Sequence, residues 1–287
     1  MGSTLLAVVV LAVLLFALVA VVLTARISDR LSRALVFKPS RRDLGSPADL
    51  RLPFEDLEIP CAGGGKVHGW WIPRKAGAGE DAPVILFLHG RRGNLGAQLP
   101  MLRFLHSLGA DLLAFDYPGY GRSPGEPSEA GCLAAAEAAW NLLRARRPDS
   151  RVVLYGRSLG CALAAFLASR EPCAGLVFHG GFTSVPDLAA DLHPRLPVRP
   201  FCRVRLDALG WIAGCRSPLL VLHGRQDRFI PIAHALRVYE RAPVPKRFVP
   251  LAGGHDAEGW MLSPEVRKAL AEMLAGRAGS WPTGDPV

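Results

Sequence analysis

The chain predicts an α/β fold: a mostly parallel, eight-stranded sheet with helices on both faces, preceded by one N-terminal transmembrane helix. Three observations carry this. Continuous apolar runs such as Val84-Ile85-Leu86-Phe87-Leu88-His89-Gly90 have the composition of strands buried on both faces. Those runs alternate with helical segments, and strands joined by crossovers pair in parallel. Leu5 to Leu23 is an uncharged run of Leu, Val and Ala with one Phe. As a helix it would extend about 28 Å, close to the thickness of a hydrocarbon core.

A signal peptide is the rival reading of that first run. No Lys or Arg precedes it and no clear A-x-A site follows, so residues 1–25 are expected to be a single-pass anchor. Arg26, Arg30, Arg33, Lys38, Arg41 and Arg42 come next, opposed only by Asp29 and Asp43. Positive charge flanking one end places that end, and the domain after it, on the cytoplasmic side. Residues 26–53 then read as a basic juxtamembrane linker.

The remaining elements follow in order. Glu55–Cys61 and Val67–Ile72 form a hairpin joined by Gly63-Gly64-Gly65. The strand from Val84 leads to a helix over Leu95–Leu108, a strand over Leu112–Asp116, a glycine-rich loop from Tyr117 to Glu129, and a helix over Ala134–Arg146. Arg151–Tyr155 is a short β-branched strand, and Cys161–Ala168 begins a helix of small apolar residues. Strands at Gly175–His179, Pro218–His223 and Lys246–Leu251 complete the sheet, with helices at Ile232–Arg241 and Pro264–Ala275. Residues 54–276 form this domain, and residues 277–287 read as a flexible tail. Residues 182–216 interrupt the alternation.

Half of the 287 residues are hydrophobic, enough for one large domain or two small ones. The net charge of +9 comes from scattered arginines with no accompanying nucleic-acid motif, so no nucleic-acid partner is expected. Cys61, Cys132, Cys161, Cys173, Cys202 and Cys215 contain no C-x-x-C. They read as free thiols of a reducing compartment, although six cysteines leave three disulfides arithmetically open. No H-E-x-x-H and no carboxylate cluster occurs, so neither a metal nor another cofactor is expected.

Chemistry concentrates at the C-terminal ends of strands in such sheets. Gly156-x-Ser158-x-Gly160 sits between a strand and a helix, where a sharp turn lifts a serine hydroxyl above the sheet. The N–H of Leu159 can then face a developing oxyanion at the helix N-terminus. Gly121-Arg122-Ser123-Pro124-Gly125 matches the same pattern, but Pro124 has no N–H to offer and no helix begins there. Ser123 therefore reads as a turn residue. Asp227 and His255 follow later strand ends, and the order Ser158, Asp227, His255 suits nucleophile, orienting acid and base. Asp187 and Asp207 remain alternative acids. His89 and His223 read as loop ties, and His179 as a buried strand-end residue.

From about Leu57 to Leu274 the chain resembles a serine α/β-hydrolase, most closely a membrane-anchored branch that includes palmitoyl-protein depalmitoylases and bacterial members without assigned function. The resemblance rests on His89-Gly90-x-x-Gly93-Asn94, Asp116-Tyr117-x-Gly119-Tyr120-Gly121-x-Ser123, Gly156-Arg157-Ser158-Leu159-Gly160, Leu196-Pro197-Val198-Arg199, His223-Gly224-x-x-Asp227 and Gly254-His255. It implies a second oxyanion donor in the backbone N–H of Arg91, where many relatives have Asn. It also implies that residues 182–216 form a cap over the site. The expected activity is cleavage of esters or thioesters through an acyl-enzyme, on lipid-like or acylated substrates near a bilayer. A peptidase, an acyltransferase or a silent binding module could use the same fold. Two readings of the cap stand side by side. Its apolar residues (Leu192, Leu196, Val198, Phe201, Val204 and Leu206 among them) either pack as core or line an acyl groove beside headgroup-facing Arg195 and Arg199.

Overall fold

The computed structural model describes residues 14–16, 26, 28–74, 82–257 and 259–282. Helix α1 (residues 28–36) leads to β1 (Lys38–Pro39), β2 (Glu55–Pro60), β3 (Lys66–Ile72), β4 (Val84–Leu88) and β5 (Arg92–Gly93). Next come α2 (Leu99–His106), β6 (Asp111–Phe115), α3 (Glu129–Arg146), β7 (Val152–Arg157) and α4 (Leu159–Arg170). The chain continues through β8 (Gly175–His179), α5 (Val185–Leu192), α6 (Ala208–Ile212) and β9 (Leu219–Gly224). It closes with α7 (Ile232–Arg241), β10 (Lys246–Leu251) and α8 (Pro264–Leu274).

Eight strands form one sheet in the order β10-β9-β8-β7-β4-β6-β3-β2. Only the β2–β3 hairpin and the β3–β6 pairing are antiparallel. Alternation within the strands builds two cores. Val84, Leu86 and Leu88 of β4 join Val152 and Leu154 of β7 on the face covered by α3, α4, α6 and α7. Ile85 and Phe87 join Val153 and Tyr155 on the face covered by α2 and α8. Period-two side chains thus feed both layers, which is why these runs carry no polar position.

Helix α4 explains the small residues after Ser158. It lies against β7, β8, α3 and α6, and every residue from Leu159 to Ala168 is buried. Helix α3 begins five residues before the sequence suggests, because the Ser128 hydroxyl accepts the Gly131 N–H as an N-cap.

Residues 26–53 are not a free linker over their described part. Phe37 is buried in the larger core, β1 pairs with β5, and the Ser28 and Ser32 hydroxyls donate to the Phe201 carbonyl in the cap. The start of the expected tail is also folded: Trp281 is buried and its indole N–H donates to Glu272 Oε2. The expected transmembrane helix lies outside the described residues except for Leu14–Phe16, which are helical. Among the described residues, no helix is long and apolar enough to cross a membrane.

The interrupting segment divides in two. Val204, Leu206, Ala208 and Ile212 are buried in the core, with the Glu129 carboxylate accepting the N–H groups of Arg205 and Leu206. Leu192, Leu196 and Phe201 stay exposed. One half of the segment therefore packs as core, while the other leaves apolar side chains exposed, with Arg199 paired to Asp187.

Candidate active site

The β7–α4 turn puts Ser158 at φ 54° and ψ −115°, a left-handed-side conformation unfavourable to any residue with a Cβ. Such strain costs roughly 1–3 kcal/mol and persists only where the surroundings over-determine it. The glycines supply that constraint. A Cβ on Gly160 would overlap the Leu88 carbonyl of β4, and one on Gly156 would come within 2.6 Å of Cys161 Cα and the Gly160 carbonyl oxygen. The helix can approach the sheet this closely only without those side chains. Gly160→Ala should therefore destabilise the fold by about 2–3 kcal/mol, the upper range for overpacking. Urea unfolding measures it, and a change below about 0.5 kcal/mol would mean the close approach is not what sets the turn.

Above the turn, His255 Nε2 lies 3.1 Å from Ser158 Oγ, and His255 Nδ1 lies 2.7 Å from Asp227 Oδ2. A carboxylate only accepts, so it fixes the proton on Nδ1 and leaves Nε2 free to accept from the serine hydroxyl. Asp227 is itself held: its Oδ1 accepts the N–H groups of Phe229 and Ile230 at 2.9 and 2.8 Å. Burial alone would raise the Asp227 carboxyl, but the hydrogen bonds from His255 and Ile230 outweigh it and hold the group below its ordinary value. The group is thus ionised at neutral pH. Phe229 packs edge-on against the imidazole, with centroids 5.4 Å apart.

The alternative residues are engaged elsewhere. Asp187 accepts from Thr183 Oγ1 and pairs with Arg199, and Asp207 caps α6 through the Gly210 N–H. Ser123 is fully buried, accepting the His68 N–H and donating to the Asp116 carbonyl. His223 Nε2 donates to the Ile230 carbonyl and so tightens the Asp227 loop. His179 is buried against Trp260 and bonded to the Tyr155 hydroxyl; burial, with Arg157 nearby, pushes its pKa well down, so it stays neutral. Cys161, just past the elbow, donates to the Gly156 and His179 carbonyls, and burial pushes its thiol far up. It is no rival nucleophile.

The N–H groups of Arg91 and Leu159 have no acceptor among the described residues. His89 sets the first of them. Its Nδ1 donates to the Gly90 carbonyl at 2.7 Å, and in a trans peptide the N–H of Arg91 must point the opposite way. The Tyr117 hydroxyl on the His89 carbonyl and the Tyr120 hydroxyl on the Arg91 carbonyl brace the same loop. The Arg91 side chain leaves the centre, bonding the Leu35 carbonyl and stacking on Phe229.

Two clefts meet at Ser158. One, of about 460 Å³, is apolar and runs between Leu31 and Leu35 of α1, Leu188 and Leu192 of α5, and Val198 and Phe201 of the cap. The other, of about 340 Å³, is the more polar of the two and includes Arg92, Gln98, Arg157, His255 and Asp256. The sequence reading missed α1 as a wall of the site. Its only local signal is the four-residue spacing of Leu31 and Leu35, which places both on one helical face. Nothing local marks Arg92 or Gln98.

Comparison with known proteins bears on the family and the fold. A family model described as alpha/beta hydrolase fold matches residues 83–201. The alpha/beta hydrolase domain-containing protein WAV2 of Arabidopsis thaliana is 31% identical over 242 residues, covering 77% of this chain and 78% of that protein. An uncharacterized protein of Mycobacterium tuberculosis is 32% identical over 247 residues, covering 84% and 87%. Among solved structures, the esterase Pf2001 of Pyrococcus furiosus superposes with a TM-score of 0.68 at 25% identity, covering 84% of this chain and 100% of that one.

Proposed function

This chain belongs to the α/β-hydrolase family, and from that premise we propose that it is a serine hydrolase cleaving carboxylic esters or thioesters of lipid-like acyl groups. The observation that carries the reading is the hydrogen-bonded series Ser158, His255, Asp227. Ser158 Oγ attacks the acyl carbonyl carbon while its proton passes to His255 Nε2. The carbonyl oxygen becomes an oxyanion facing the N–H groups of Arg91 and Leu159, the latter on the first turn of α4. When the intermediate collapses, His255 returns that proton to the leaving oxygen or sulfur, leaving an ester on Ser158. Water, deprotonated by the same nitrogen, then releases the acid. Asp227 keeps the imidazole in the productive tautomer and stabilises its charged form throughout.

A lipid-like acyl group is supported by the apolar cleft beside Ser158, open along exposed Leu31, Leu35 and Phe201. The apolar run from Leu5 to Leu23 would hold that opening near a bilayer as a single-pass anchor, and the basic stretch after it favours a cytoplasmic domain. Depalmitoylation of proteins is one activity of this kind.

A fluorophosphonate should label the protein on Ser158, located by mass spectrometry of the adduct peptide. Over a series of p-nitrophenyl esters, kcat/KM should rise a few-fold per added methylene until the cleft is filled, each buried CH₂ being worth about 0.8 kcal/mol. Absence of labelling would point to a silent binding module. A flat chain-length profile would remove the lipid-like acyl group from the proposal.

A further inference from the structure

Hydrolysis requires His255 to protonate the departing atom, so the leaving group must lie on the side of Ser158 where His255 stands. The imidazole lines the polar cleft and not the apolar one; of the two oxyanion donors, Leu159 lines only the apolar cleft and Arg91 lies where both meet. With the acyl chain in the apolar cleft, the alcohol or thiol falls into the polar cleft. That cleft is basic. The Arg92 side chain is exposed and has no ion pair among the described residues. Arg157 has only a long 3.8 Å contact to Asp256, a carboxylate that is itself largely exposed. At the same cleft Gln98 is buried at 5% exposure, yet its Oε1 has no hydrogen-bond partner. A buried acceptor without a donor is costly, and a hydroxyl of a ligand in the cleft would supply that donor.

We propose that the substrate's leaving group is anionic: an alcohol or thiol bearing a phosphate or carboxylate a few bonds from the scissile ester, bound by Arg92 and Arg157, with a free hydroxyl of the same leaving group donating to Gln98 Oε1. This rests on the hydrolase reading above and adds the half of the substrate that reading leaves open. Guanidinium groups suit such oxyanions because their donors fan out in one plane and the pairing is charge-assisted.

The test compares three soluble hexanoyl esters, of glycerol, of glycerol 3-phosphate and of glyceric acid, at low salt. Either anionic ester should exceed the neutral one about tenfold in kcat/KM, and Arg92→Gln should remove most of that ratio while Arg92→Lys restores part of it. Phosphate preferred over carboxylate, or the reverse, identifies the anion. A neutral ester cleaved as well as both anionic ones, or a ratio unmoved by Arg92→Gln, overturns the proposal. A binding measurement separates this from failure of the hydrolase reading. Glycerol 3-phosphate titrated calorimetrically into the unmodified protein should bind saturably at on the order of millimolar concentration, and several-fold more weakly to Arg92→Gln. Binding without turnover of any ester would sink the hydrolase reading alone. No saturable binding would sink the anionic leaving group, whatever the enzyme hydrolyses.

Discussion

Ser158→Ala is expected to lower kcat by about 10⁴- to 10⁶-fold, with residual turnover left to the oxyanion donors and binding. Nothing else in the centre can replace the lost oxygen, because the Cys161 thiol is buried and bonded to two carbonyls beneath the turn. Folding should hardly change, since Ser158 Oγ is tied only to His255 among the described residues. Ser123→Ala makes the matching control, and it should separate stability from activity in the opposite sense. Its hydroxyl joins the buried His68 N–H to the Asp116 carbonyl, so removal leaves both without that partner and should cost about 1–3 kcal/mol. Turnover per folded molecule should stay within a few-fold of the parent. Steady-state rates corrected for folded fraction, with urea curves for both variants, decide the matter. Loss of turnover in Ser123→Ala but not in Ser158→Ala would reverse the assignment of the nucleophile.

The second large effect is expected for Asp227→Asn, at about 10⁴-fold in kcat. An amide can donate to His255 Nδ1, which would push the ring proton to Nε2 and leave Ser158 Oγ without an acceptor. The same variant has a signature in stability. The Asp227 carboxyl is held below its ordinary value in the folded state, so its contribution is complete at neutral pH, above the unfolded carboxylate value of about 3.9. It is lost as pH falls through the lower folded value. Melting temperatures followed downward from pH 6 should therefore show an acid-side decline in the parent that is shallower in Asp227→Asn. A variant retaining a tenth of the parent activity would show that Asp227 is not the group orienting His255. The acid would then have to be sought among other carboxylates, although Asp187 and Asp207 are committed to Arg199 and to the α6 cap.

Much of this architecture is legible one residue at a time. The central strands are marked by apolar runs because a strand buried on both faces admits no polar position, and all eight observed strands of the sheet fall within one or two residues of the expected ones. The three residues that meet above the sheet are legible for a related reason. Parallel strands all end on one edge, so Ser158 after β7, Asp227 after β9 and His255 after β10 are brought together by topology. Even the choice between two G-x-S-x-G motifs needs only local chemistry, since Pro124 has no N–H.

What the sequence by itself determined, then, is the sheet, the elbow and the residues on its catalytic edge, because each follows from local periodicity or from strand order. Only the tertiary structure decided which surfaces face the elbow. Helix α1 reads as a charged linker, yet Ser28 and Ser32 reach Phe201 across about 170 positions and Leu31 and Leu35 become a wall of the apolar cleft. Two halves of one cap with the same mixed composition separate into core and cleft according to what lies beneath them, α4 in one case and Ser158 in the other. Arg92, Gln98 and Arg157 share no pattern and converge only because β5, α2 and β7 end around one point. Periodicity reports which face of an element is buried; it carries no information on which distant element covers that face, and the two clefts are made of that second kind of contact.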